Sequence, residues 1–120
     1  MNLPNVLIIL FIVYLIVVMF IYFYQRNLLY HPSENNYLDE TNLNHKIEKI
    51  YVQSDTKLIS WYYNNNKNYK TILFFHGNAG KLDNRVYKLN ELAKLNINYL
   101  IVAYRGFSGN QGKPSEVGIY

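Results

Sequence analysis

The chain has 120 residues, half of them apolar, a formal charge of +4 and no cysteine. That length holds one domain at most and excludes a large enzyme. The missing thiols exclude a disulfide scaffold and any Cys-ligated zinc or iron–sulfur site.

Residues 6–24 are an unbroken run of 19 Val, Leu, Ile, Phe, Tyr and Met residues. As a helix the run spans about 28 Å, close to a hydrocarbon core of roughly 30 Å. A cleaved signal peptide needs a basic n-region and a small-residue cleavage site. Residues 1–5 carry no Lys or Arg, and no Ala, Gly or Ser lies between Val6 and Pro32. The run therefore reads as an uncleaved single-pass anchor in the lipid bilayer. Tyr22, Tyr24, Tyr30 and Arg26 form an interfacial belt at its C-terminal end. Arg26 alone favours a cytoplasmic C-terminal side only weakly, and one charge does not set the orientation.

Residues 25–44 are polar and Asn-rich and read as a connecting stretch. The expected division is an anchor over 1–25, a linker over 26–45 and a folded part over 46–120. Residues 46–53 (KIEKIYVQ) and 57–63 (KLISWYY) are β-rich, with turn chemistry at Ser54-Asp55-Thr56 between them, and predict a hairpin. A polar loop follows at 64–68.

The pattern then changes. TILFF at 71–75 and YLIVA at 99–103 are short, continuous apolar runs. Between them, residues 82–95 show helical spacing at Val86, Leu89, Leu92 and Ala93. Strand, Gly-rich turn, helix and strand make a βαβ unit, so the fold class is α/β. Continuous apolar strands belong to a parallel sheet covered on both faces. The helix supplies one layer only. The last 15 residues, GFSGNQGKPSEVGIY, read as Gly- and Pro-rich loop. A partner chain, or more of this chain, is expected over the open face and edge.

His76-Gly77-Asn78-Ala79-Gly80 closes the first apolar run, and Tyr104-Arg105-Gly106-Phe107 closes the second. Glycines in a turn between strand and helix bring backbone N–H donors close to a reacting carbonyl, whose oxygen gains negative charge in acyl transfer. The order FFHGNAG, helix, YLIVAYRGF, then GNQGKPSE resembles the α/β-hydrolase superfamily. Within it the chain is most similar to single-pass, membrane-anchored serine hydrolases, and QRNLLYHP at 25–32 fits that branch.

The resemblance implies an oxyanion donor at the backbone N–H of Asn78, beside Gly77. It implies loop-shaping roles for His76, Gly80, Arg105 and Gly106, with His76 distinct from the family's catalytic histidine. It also implies a membrane location, a bacterial inner membrane being the expected one. It covers only the first half of the family's domain.

The nucleophile elbow G-x-S-x-G is absent. The nearest string, Gly106-Phe107-Ser108-Gly109, has its second glycine one place early and precedes no predicted helix. Ser33, Ser54, Ser60, Ser108 and Ser115 occupy no predicted strand-to-helix elbow. His31, His45 and His76 all precede the place where the nucleophile belongs, whereas the family order is Ser, acid, His. No catalytic triad is therefore expected within these residues, and the chain alone is expected to be inactive.

Other chemistries fit poorly. A P-loop would need Gly at Phe75 and a hydroxyl at Leu82. Gly106, Gly109 and Gly112 do not make G-x-G-x-x-G. The histidines lack metal-ligand spacing, and Asp39-Glu40 reads as solvated linker. No metal or cofactor is expected. Scattered Lys and Arg residues give no nucleic-acid patch. The 17 asparagines, beside three alanines, read as a compositional bias. Two alternatives remain open: a non-enzymatic membrane protein that uses the α/β part as an interaction surface, and one half of a split hydrolase.

Overall fold

The computed structural model describes residues 2–33, 42–53 and 56–119. Ser54-Asp55 of the expected turn and Asp39-Glu40 lie outside the described residues. The chain divides into two units, Met1–Tyr30 and His31–Tyr120.

The first unit is one α-helix, α1 (Leu3–Leu29), with Pro4 in its first turn. No residue of α1 is buried, and its apolar side chains are exposed all round. The expected anchor ended at residue 25, and the helix runs four residues further. Gln25, Arg26, Asn27, Leu28 and Leu29 contain no breaker, and the first one is Pro32, which disfavours α geometry at His31. The stretch 26–45 is therefore no single linker. Its start is helical, and His31–Pro32 belongs to the second unit as strand β1.

The second unit is built on a four-stranded sheet. Its strands are β2 (Glu48–Gln53), β3 (Lys57–Tyr63), β4 (Thr71–Phe75) and β6 (Asn98–Val102). The spatial order is β2-β3-β6-β4. The hairpin β2–β3 and the pair β3–β6 are antiparallel, whereas β4 and β6 are parallel. The strand over 99–103 starts and ends one residue earlier than its apolar run suggests. A second, two-stranded parallel sheet pairs β1 with β5 (Ala79–Gly80).

The expected helix over 82–95 is shorter and mixed. A 3₁₀ turn, Leu82–Arg85, leads into α2 (Val86–Leu92). Seven α-helical residues do not hold a helix in water. Packing holds it instead: Leu82, Val86 and Leu89 are buried, at about 1.5–3 kcal/mol each. They meet Ile59, Trp61, Tyr99, Ile101 and Ala103 from the sheet, with Phe74 and Leu92 partly buried beside them.

This core lies on one face of the sheet. Alternation along β4 places Ile72 and Phe74 on the α2 side and Leu73 and Phe75 on the other. Leu73 is 59% exposed and Phe75 64%. The single covered face expected from the apolar runs is thus what the fold presents at β4.

Candidate functional site

Because β4 and β6 are parallel neighbours, the loops after them leave the sheet side by side. Crevices at the C-terminal ends of parallel strands are the usual ligand sites of α/β sheets. All the expected site residues, His76, Gly77, Asn78, Gly80, Arg105 and Gly106, fall in these two loops.

The loop after β4 is held by its carbonyls. His76 Nδ1 donates to the Gly77 carbonyl at 2.7 Å. The His31 N–H donates to the Asn78 carbonyl at 2.9 Å. The Arg85 guanidinium donates to the Ala79 carbonyl at 2.6 Å. The Ser33 N–H donates to the Gly80 carbonyl at 3.2 Å. Four consecutive peptide units therefore have fixed orientations. In a planar trans peptide, fixing the C=O also fixes the following N–H, which points the opposite way.

Gly80 adopts φ +80°, and a Cβ there would strike the Asn84 side chain. Asn84 needs that space because its Oδ1 accepts the Lys81 N–H at 2.9 Å. Gly77 differs. It is not among the positive-φ glycines, and a Cβ at Gly77 would meet no atom within 4 Å. The left-handed backbone that favours glycine thus belongs to Gly80 and not to Gly77.

His76 joins the two loops. It is 6% exposed, and its ring lies 4.3 Å from the Tyr104 ring and 5.1 Å from the Phe107 ring, centroid to centroid. The Tyr104 N–H donates to His76 Nε2 at 3.2 Å. A carbonyl accepts only and an amide N–H donates only, so the ring is neutral with its proton on Nδ1. Burial lowers the His76 pKa below its usual 6.5, the bond to Gly77 opposes this, and the Arg85 charge reinforces it.

The loop after β6 is equally ordered. Asn110 Oδ1 accepts the Ile59 N–H at 3.0 Å, and its amide donates to the Ala103 carbonyl at 2.7 Å. Gly106 sits at φ +76°, and a Cβ there would lie 2.5 Å from Pro114 Cδ. The Arg105 stem runs against Gly112 and Gly118.

Ser108 is the one non-glycine residue with positive φ among the described residues, at 52°. Such backbones often mark functional sites. Here the residue is 1% exposed and its hydroxyl accepts the Leu82 N–H at 2.9 Å, so it caps the start of the 3₁₀ turn. It is not presented to a cleft.

Sequence reasoning missed four partners of the site: the backbone amides of His31 and Ser33, the Arg85 side chain and Asn110. The His31-Pro32 pair had signalled family likeness but no role. A second cluster was also missed. His45 Nε2 bonds the Tyr99 hydroxyl at 2.5 Å and its ring packs on Tyr63, which ties His45 to the sheet. Burial lowers the His45 pKa and raises that of Tyr99 far above its usual range.

No model of a known protein family matches the chain. It is 30% identical over 116 residues to protein bem46 of Schizosaccharomyces pombe, covering 88% of this chain and 39% of that protein. It is 32% identical over 107 residues to the uncharacterized protein Rv2307c of Mycobacterium tuberculosis, with 86% and 38% covered. The alpha/beta hydrolase domain-containing protein WAV2 of Arabidopsis thaliana is 31% identical over 106 residues, with 80% and 34% covered. Among solved structures, the esterase Pf2001 of Pyrococcus furiosus superposes with a TM-score of 0.55 at 17% identity. That match covers 75% of this chain and 36% of the esterase. The chain thus spans about two fifths of the length of the curated relatives it matches.

Proposed function

The chain belongs to the α/β-hydrolase superfamily, and from that premise we propose that it is the N-terminal part of a membrane-anchored serine hydrolase. Its reaction class is hydrolysis of an ester, thioester or amide. Residues 6–24 anchor it in the bilayer, and the loop at 76–80 supplies half of an oxyanion hole through the N–H of Asn78, beside Gly77.

One observation carries this reading. The loop occupies the C-terminal end of β4 and has four consecutive carbonyls held in place. A donor that stabilises developing charge must be oriented before the reaction, because reorienting it then would consume the gain. The α1 helix supports the anchor by length and composition.

The nucleophile, acid and catalytic histidine lie outside these 120 residues. They come from further chain or from a second polypeptide, which docks on β4. The exposed Leu73 and Phe75 and the edge position of β4 among the described residues favour that arrangement over a free-standing interaction module.

A serine-reactive fluorophosphonate probe tests the proposal. The 120-residue chain in detergent micelles stays unlabelled. Co-expression with a polypeptide carrying G-x-S-x-G, Asp and His yields labelling of that second chain. Covalent labelling of the 120-residue chain by itself would overturn the reading.

A further inference from the structure

We propose that the strand leaving the membrane anchor is built into the oxyanion loop, so that the site stays at the bilayer surface and acts on an ester held in the same bilayer. The strand's place in the loop rests on geometry. The substrate assignment rests on the hydrolase and anchor readings above.

The boundary between the two units falls between Tyr30 and His31, and His31 already opens β1. β1 runs parallel to β5, with His31 opposite Ala79 and Pro32 opposite Gly80. The His31 N–H donates to the Asn78 carbonyl at 2.9 Å, and the Ser33 N–H donates to the Gly80 carbonyl at 3.2 Å. Pro32 between them has no N–H to give. None is needed, because alternate residues of a strand bond to a given neighbour, and the fixed φ of proline keeps the exit extended. Of the held carbonyls in the loop, those of Asn78 and Gly80 are thus held by the chain just past the anchor.

No linker separates the anchor from this strand. Consecutive Cα atoms are about 3.8 Å apart and paired strands about 4.8 Å, so Ala79 lies within about 9 Å of Tyr30 at any angle between the units. Residues 25–29 carry α1 about 7.5 Å past the apolar run, roughly the thickness of a headgroup layer. With residues 6–24 in the hydrocarbon, β1 therefore starts where the chain leaves the lipid. Asn78, next to Ala79, is kept at that level by covalent connection and two backbone bonds.

A loop fixed there meets ester carbonyls at the base of acyl chains. A substrate in the same bilayer arrives by lateral diffusion, already at the right depth. A Cβ at Gly77 would meet no atom within 4 Å, so the backbone beside the donor is open to an approaching carbonyl. Hydrolysis breaks the acyl C–O bond and puts the oxygen of one water on the acyl carbon. One proton of that water goes to the departing alcohol. The freed acid stays in the lipid.

Amide NMR of the full 120-residue chain in phosphatidylcholine nanodiscs, with a headgroup-spin-labelled lipid added, reads the placement. Broadening at residues 78–81 is expected to match that at Tyr30. Inserting 24 Gly and Ser residues between Tyr30 and His31 adds a flexible span of about 25–30 Å. The shifts of β1 and β5 are expected to hold in that variant, and most of the broadening at 78–81 to be lost. Sharp signals at 78–81 beside a broadened Tyr30 overturn the proposal alone. A sharp Tyr30 removes the anchor reading and the proposal with it. Broadening that survives the insertion would mean that the folded unit adheres to lipid by its own surface, and it also overturns the proposal.

Ser33→Pro keeps the extended backbone and removes one donor, whereas Ser33→Ala keeps the donor. The Lys81 amide, in the same peptide as the Gly80 carbonyl, is expected to move in Ser33→Pro and to hold in Ser33→Ala. An unmoved Lys81 amide in Ser33→Pro counts against the built-in strand. Trp61 fluorescence reports folding. Should Ser33→Pro not fold, hydrogen exchange at His31 and Ser33 in the wild-type chain decides: slow exchange supports the pairing, and fast exchange overturns it. In a complemented, probe-reactive enzyme, the insertion is expected to lower turnover of p-nitrophenyl palmitate in the same vesicles by about tenfold and to leave that of dissolved p-nitrophenyl acetate unchanged. Equal effects on both esters overturn the substrate assignment. The NMR pattern without probe reactivity would leave the built-in strand standing and remove the hydrolase reading.

Discussion

Asn98 is 2% exposed, and its amide serves four backbone groups. Its Oδ1 accepts the N–H groups of Asn65 and Asn66, and its Nδ2 donates to the carbonyls of Asn66 and Tyr69. This side chain fastens the loop between β3 and β4 to the start of β6. Asn98→Ala leaves those groups to find water in a confined place, so it is expected to destabilise the folded unit by about 2–4 kcal/mol. Trp61 is the chain's single tryptophan and is 1% exposed, so its fluorescence during urea unfolding measures the loss. The glycines give a paired contrast. Gly106→Ala meets both a left-handed backbone and Pro114, and is expected to cost about 2 kcal/mol or more. Gly77→Ala meets neither and is expected to stay within about 0.5 kcal/mol by the same measurement. Little of this was legible in the sequence. Seventeen asparagines in 120 residues mask the few that matter. Asn98 and Asn110 differ from the rest only in what the fold brings to their amides. The loop residues, in contrast, were legible, because the glycine pattern at 76–80 follows an apolar strand and precedes a helix.

Elements were read well where side chains carry the signal. The runs at 57–63 and 71–75 coincide with β3 and β4, because strand burial writes itself as apolar residues. The parallel pair β1–β5 was not foreseen. It is two residues long on each side and is held by backbone bonds, so it leaves no side-chain pattern. The helix after the loop was overestimated: the helical spacing at Val86, Leu89, Leu92 and Ala93 falls on α2 and its C-cap, whereas the leucines at the two ends, 82 and 95, lie outside the α-helical hydrogen bonds. Of these leucines only Leu82 and Leu89 are fully buried, while Leu95 is 53% exposed. For α1 the composition alone carries the assignment, and a charge near its middle tests it. Ile16→Arg places a guanidinium close to the bilayer centre, at an expected insertion penalty of about 2.5–3.5 kcal/mol. The share of chain that resists alkaline carbonate extraction from membranes should fall sharply. Unchanged extraction would show that residues 6–24 do not span a bilayer.

At the scale of the whole second unit, strand order β2-β3-β6-β4 places the most apolar strand at an edge. Along β4, Ile72, Leu73 and Phe75 are 41%, 59% and 64% exposed, and an open apolar groove runs beside it between Ile72, Phe74, Tyr87, Leu92 and Leu95. Natural edges are usually blunted by charge, proline or a bulge, and β4 has none of these. β6 differs: it has a paired neighbour on both sides. Hydrogen exchange separates the two cases. In the 120-residue chain, the β4 amides that point away from β6 are expected to exchange at least about 100-fold faster than those of β6, because no strand among the described residues protects them. If the complementing part of a hydrolase domain adds a strand there, the same amides become slow, and those of β2 at the opposite edge do not change. Protection at β4 in the chain alone, scaling with its concentration, would instead mean that two copies pair through this edge. Protection that appears at β2 on complementation would place the missing strands on the wrong side of the sheet and remove the docking surface assigned to β4.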